Sequence, residues 1–190
     1  MVEICRLMYE RQLTDTAGGN VSVRVDDLVY LTPRYIGTHH HWNIGPQHIS
    51  VLDRNRRIID GPLELTREVE IHLQLYKALP MAGAVIHAHP TYSLVFAVAG
   101  LAIQPLTEPA EHLGTIEVAK FGPAHSTELA QNVVAALKPK EKQLEYHPIA
   151  CLLPRHGIVV VGQDLDETFD ALERIEVNAK CALLSRLIGK

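Results

Sequence analysis

The sequence predicts an α/β fold, and three observations predict it. Short runs rich in Val, Ile and Leu recur along the chain at 21–25, 84–89, 149–153 and 158–161, lengths that suit strands. Between them lie stretches whose apolar residues fall at helical spacing, such as Val69, Leu73 and Tyr76. Gly, Pro, Asn and Asp punctuate the boundaries. No internal repeat, low-complexity tract or linker divides the chain, so one domain over 1–190 is expected.

The elements follow in order. Residues 2–12 read as an amphipathic helix carrying Ile4, Cys5 and Met8. A turn-rich stretch at 14–19 leads into Gly18-Gly19-Asn20, where a strand begins with Val21, Val23 and Val25 alternating with polar residues. Asp26-Asp27 marks a hairpin turn to a second strand at 28–32. Residues 34–42 read as a loop containing His39, His40 and His41. Adjacent residues on irregular backbone seldom converge on one ion, so we expect a solvated or substrate-proximal loop there. A further hairpin joins 49–52 to 58–59 around Asp53-Arg54-Asn55.

Thr66 is the expected N-cap of a helix running to about Leu79, where Pro80 stops it. Residues 84–89 form the next strand, and 91–98 a helix or second apolar segment closed by Gly100. Strands are expected at 101–107 and 116–121, with a polar connection at 108–114. Ser126 caps a helix over 127–137 ended by Pro139, and strands at 149–153 and 158–161 flank Arg155-His156-Gly157. Asp166 is the expected cap of a long final helix with Phe169, Leu172, Ile175, Ala179, Leu183 and Leu187 inward.

Composition narrows the function classes. A formal net charge of −4 gives no case for a nucleic-acid or polyanion partner. No apolar run is long enough to span a membrane, and the N-terminus lacks a signal-peptide pattern, so a cytoplasmic protein is expected. Cys5, Cys151 and Cys181 are few, odd in number and widely spaced, as in reduced intracellular chains.

The chemistry concentrates around 84–90. In a strand, residues two apart share a side, so His87 and His89 lie together at the end of a buried strand. His156 follows another apolar run and precedes Gly157. With Glu68 on the upstream helix, three imidazoles and a carboxylate make a zinc-type site with catalytic capacity. Each feature also has a plainer reading. Glu68 can be a first-turn acid complementing a helix dipole. Gly18-Gly19-Asn20 can be an ordinary strand-entry turn, or a loop whose free N–H groups bind phosphate.

In order along the chain stand Gly19-Asn20-Val21-Ser22, Leu31-Thr32-Pro33, Glu68 at a helix start, His87-Ala88-His89 and His156-Gly157. In this order and spacing the chain resembles the class II aldolase/adducin family, which includes fuculose-phosphate aldolase-like sugar enzymes. The resemblance implies a three-layer αβα sandwich around a mainly antiparallel sheet, and cyclic homotetramers with active sites at subunit interfaces. It implies that His87, His89 and His156 bind Zn2+, with Mn2+ or Co2+ as alternatives. Glu68 would be the acid/base, and Gly19, Asn20 and Thr66 would lie at a phosphate pocket with Thr32 nearby.

Such a site would cleave a sugar phosphate or related hydroxyketone by reversible aldol chemistry, the charge of the enediolate resting on zinc. The same scaffold also supports epimerases, dehydratases and decarboxylases, and the adducin head implies a non-catalytic module. Three positions depart from the family. Thr32-Pro33 continues as Arg34-Tyr35 rather than as Ser/Thr-Gly. Arg67 replaces a small hydroxyl residue and can grip a phosphate or carboxylate bidentately. The tyrosine that several members lend from a neighbouring subunit aligns with Phe121, which implies another proton donor or another reaction.

Overall fold

In the computed structural model, which describes residues 1–188, eight strands form one twisted sheet around the segment that carries His87. The elements are α1 (Val2–Glu10), β1 (Asn20–Val25), β2 (Leu28–Leu31), α2 (Ile36–His40), β3 (Ser50–Leu52), β4 (Ile58–Asp60) and α3 (Val69–Ala78). They continue as β5 (Ala84–Ala88), α4 (Thr91–Ala99), β6 (Glu117–Val118), α5 (Thr127–Leu137), β7 (Ile149–Leu153), β8 (Gly157–Gly162) and α6 (Leu165–Ser185). Strand order is β4-β3-β2-β1-β5-β8-β7-β6. Every pairing is antiparallel except β6 with β7.

Strand alternation sorts the core into two layers. On β5 and β8, Ile86, Ala88, Ile158 and Val160 join Cys5, Met8, Phe96, Phe169, Leu172 and Ile175 from α1, α4 and α6. Val85, Val159 and Val161 face the other way, against Ile71 and Leu75 of α3 and Leu129 and Val133 of α5. The result is the three-layer αβα arrangement expected. Because both faces of β5, β7 and β8 are covered, all three read as continuous apolar runs rather than alternating ones. Cys5, Cys151 and Cys181 are free thiols. Burial pushes the first two up to about 12, so they stay protonated.

Several boundaries differ from expectation for local reasons. The helix expected from Thr66 begins at Val69, with Glu68 at its cap position, because Leu65 is held extended by a bridge to Pro33. Asp164, not Asp166, caps α6: its carboxylate accepts the Glu167 N–H at 2.8 Å, and Asp166 sits within the first turn. Leu187 lies past the end of α6 and is exposed, so the inward stripe stops before it. The loop expected at 34–42 contains the short helix α2, with Tyr35 and His41 left-handed at its ends. The segment 91–98 is helical, as α4, and ends at a left-handed Gly100.

The strand expected at 101–107 is absent apart from one bridge between Ile103 and Ile116, and that at 116–121 shortens to β6. Pro105 removes a donor, and the remaining backbone groups pair with a side chain instead of a strand. Asn178 of α6 accepts N–H bonds from Leu106 at 2.8 Å and Thr107 at 3.0 Å, and donates to the Gln104 carbonyl at 2.8 Å. Asn178→Ala strands those groups, and we expect a loss of about 1–3 kcal/mol in urea unfolding.

Candidate metal centre

The site assembles where three chain turns meet at the ends of β5 and β8. His87 is the fourth residue of β5 and fully buried. Its Nδ1 donates to the Ile158 carbonyl at 3.0 Å, because a carbonyl can only accept. Nε2 therefore turns inward with its lone pair. His89 lies just past the strand. Its Nδ1 meets the Asp15 carboxylate at 3.1 Å, and its Nε2 stands 3.2 Å from His87 Nε2. His156 enters from the β7–β8 turn, where Arg155 is left-handed. Its ring centroid is 4.8 Å from that of His87 and 5.4 Å from that of His89.

Two glycines make this convergence possible. A side chain at Gly157 would place a carbon 2.3 Å from the Ala88 carbonyl oxygen and 2.8 Å from the His89 ring. Gly19 has a φ of +102°, and a carbon added there would meet the Thr14 hydroxyl, the His87 carbonyl and the Trp42 ring within 3.0 Å.

Glu68 completes the group from the start of α3. Its side chain is only 4% exposed, with Oε2 3.0 Å from His87 Nε2. Oε1 is buried with no hydrogen-bond partner, though His156 Nε2 and His125 Nδ1 approach within 3.4 and 3.5 Å. Burial alone would raise the Glu68 carboxyl, but the charge and hydrogen bond of His87, then His156 and His125, outweigh it and hold the group well below the usual carboxylate range. For His87, burial is likewise outweighed, by the Glu68 charge, and the imidazole is raised. Burial and the charge of His87 lower His89, and the same causes lower His156 to about 4, leaving neutral rings with lone pairs to donate.

The donor set fits a divalent cation. Ligand atoms of His87, His89 and His156 lie within 4.8 Å of one another, the sole such trio among the described residues. His87 and His89 have both committed their Nδ1 protons outward and present Nε2 atoms to each other, an arrangement that a shared cation stabilises. The unpartnered Glu68 oxygen lies beside the trio. The consecutive histidines do not join it: His39 stacks on Tyr35 and His40 packs against His48.

A cavity of about 140 Å³ opens over this group. Gly19, Asn20, Thr66 and Arg67 line it, as do Arg34 and His125. Thr32 does not: it is fully buried and its hydroxyl accepts the Val21 N–H at 3.0 Å, so it secures β1 and the expected phosphate contact does not follow. Asn20 reaches the cavity wall, but its amide already donates to the Thr66 hydroxyl at 3.1 Å. Arg34 Nε is buried without a partner, its guanidinium 4.7 Å from the Tyr35 ring.

Asp15 and His125 were not foreseen. Both come from loops, at 14–19 and 122–126, where no periodicity fixes which way a side chain faces. Asp15 is anchored from behind, since Trp42, fully buried, donates its indole N–H to the Asp15 carbonyl at 2.7 Å. Because Asp15 orients His89, we expect Asp15→Ala to weaken metal binding roughly 10- to 100-fold in a competitive chelator titration, with the fold unchanged.

The sheet order, the two helical layers and the three-histidine cluster define a class II aldolase-type scaffold, and the class II aldolase and adducin N-terminal domain matches residues 1–183. The chain belongs to the class II aldolase/adducin family. It is 31% identical over 176 residues to an L-fuculose phosphate aldolase of Methanococcus maripaludis, spanning 92% of this chain and 89% of the relative. It is 32% identical over 190 residues to a 3-oxo-tetronate 4-phosphate decarboxylase of Haemophilus influenzae, spanning 95% and 83%. An L-fuculose 1-phosphate aldolase structure superposes with a TM-score of 0.85 at 28% identity, covering 100% of this chain and 85% of the other. No helix among the described residues is long and apolar enough to cross a membrane.

Proposed function

We propose that the chain is a metal-dependent lyase that reversibly cleaves a C–C bond in a sugar phosphate or related hydroxyketone. One observation carries this reading: three imidazoles converge beside a buried carboxylate oxygen that has no hydrogen-bond partner. His87, His89 and His156 would hold the ion, with Zn2+ favoured by three nitrogen donors and Mn2+ or Co2+ as alternatives. When bound, the ion supplies Lewis-acid stabilisation of the negative charge that develops on the substrate oxygens.

Glu68 moves the proton. In the condensing direction its carboxylate takes a proton from the hydroxyl-bearing carbon of the ketone, and in cleavage it returns that proton to the same carbon. His125, whose Nδ1 is 3.5 Å from Glu68 Oε1, is placed to carry the second proton where Phe121 offers none. Gly19 and Thr66 wall the cavity, and Arg67 supplies a fork for the substrate's anionic end. Asn20, its amide already engaged, is assigned to holding Glu68 rather than phosphate. The homotetramer that the family resemblance implies is proposed with it, and light scattering would measure it.

The test is incubation of the zinc-loaded protein with dihydroxyacetone phosphate and lactaldehyde. Condensation is expected. In D2O, without aldehyde, the hydroxymethyl carbon should exchange its proton for deuterium. Failure of both condensation and exchange would contradict the reading.

A second reading, decarboxylation of a 3-oxo sugar-acid phosphate, is favoured by the unpartnered Arg34 Nε near Arg67, since two guanidiniums suit a substrate with two anionic ends. The Haemophilus influenzae relative is named for that chemistry. Release of CO2 without condensation would select it.

A further inference from the structure

Three polar side chains that the site does not use, His72, Ser22 and Tyr76, are buried behind Glu68 and reach it through Asn20. They form one chain of hydrogen bonds, and only one placement of protons satisfies it. Asn20 Nδ2 faces the Thr66 hydroxyl at 3.1 Å and Glu68 Oε2 at 3.5 Å. Its Oδ1 therefore faces His72 Nε2, which must be the donor. His72 Nδ1 is then an acceptor, and Ser22 Oγ donates to it at 2.6 Å. Ser22 has spent its proton, so the Tyr76 hydroxyl donates to Ser22 at 2.8 Å. Every donor points toward Glu68.

We infer that His72 is a positioning residue, whose Nε2–H locks the Asn20 amide so that its N–H, and not its oxygen, meets the Glu68 carboxylate. The inference rests on the proposed role of Glu68. An amide is nearly symmetric in shape, and nothing but its partners decides which way it turns. Without the His72 donor the amide can turn and set its oxygen against a buried carboxylate, which repels it and moves it. The network is fully satisfied, so it costs little to bury and it fixes a single arrangement. Residue 68 caps α3 and residue 72 lies one turn into it, which brings the two together. Burial, aided by the charge of His87, lowers His72 to about 3, which agrees with the neutral ring that this proton pattern needs.

The test uses zinc-loaded protein and deuterium exchange into dihydroxyacetone phosphate, with four substitutions made singly and two of them repeated on a Glu68→Gln background. We expect His72→Leu to lower kcat roughly 10- to 100-fold, with KM and bound metal unchanged, because misaiming a reacting group is costly. His72→Gln keeps an N–H donor and should recover to within about threefold of wild type. In a Glu68→Gln background, His72→Leu should cost nothing more, since positioning acts only through the carboxylate. If His72→Leu fails to fold, Ser22→Ala carries the test. It frees the His72 tautomer, and a fall in kcat at constant KM that vanishes on the Glu68→Gln background is the expected result.

Wild-type kcat in folded His72→Leu or Ser22→Ala would overturn the inference, and so would losses that add to that of Glu68→Gln. Full exchange activity in Glu68→Gln alone would instead overturn the functional reading.

Discussion

Glu68→Gln should leave the metal in place and reduce turnover by about 10²–10⁴-fold, the range a positioned general acid/base contributes. The substitution is nearly isosteric. It keeps a carbonyl oxygen near His87 and removes the basic site. Three features of the native carboxylate make the effect large. It is buried, so a substrate proton meets little competing water. Its Oε1 has no hydrogen-bond partner, so nothing must be displaced before it accepts a proton. Its Oε2 is faced by the Asn20 amide N–H, so Oε1 is aimed. The measurement is kcat for exchange and for condensation, with metal content assayed on the same samples. Undiminished turnover with metal bound would remove Glu68 from the chemistry.

His87→Ala should abolish both metal binding and turnover. His87 is the most enclosed of the three rings, and the Ile158 carbonyl fixes its tautomer. Losing a direct ligand should cost more than the roughly 10- to 100-fold expected for an outer-shell partner such as Asp15. The variant also leaves Glu68 buried without its main counter-charge, an arrangement that costs about 3–5 kcal/mol when one partner of a buried pair is removed. A drop in thermal midpoint should therefore accompany the loss of metal. His87→Gln, which keeps a polar group beside Glu68, should lose the metal with a smaller drop. Elemental analysis and thermal unfolding of both variants check this. Retained stoichiometric metal in either would contradict the assignment.

The parts of the site legible in the sequence were those imposed by a period. His87 and His89 share a side because a strand repeats every two residues. The covered strands β5, β7 and β8 were legible as apolar runs because both their faces are buried. What was hidden depends on contacts between distant residues. The segment 101–107 has strand-like composition, yet Asn178, more than seventy residues away, takes its backbone bonds. Thr66 looked like a cap, but Leu65 is bridged to Pro33 and a turn at 67–68 intervenes before the helix begins at Val69. Thr32 looked like a pocket residue, while it is fully buried beneath the cavity lining and its hydroxyl accepts a backbone N–H. Asp15 and His125 reach the site from loops, where only the fold decides the direction a side chain takes.

Anomalous diffraction at the zinc edge, from crystals grown with one equivalent of zinc, tests the central claim most directly. A single peak per chain bounded by the His87, His89 and His156 nitrogens, with Glu68 beside it, is the predicted result. A peak on His39–His41 instead, or none, would contradict it.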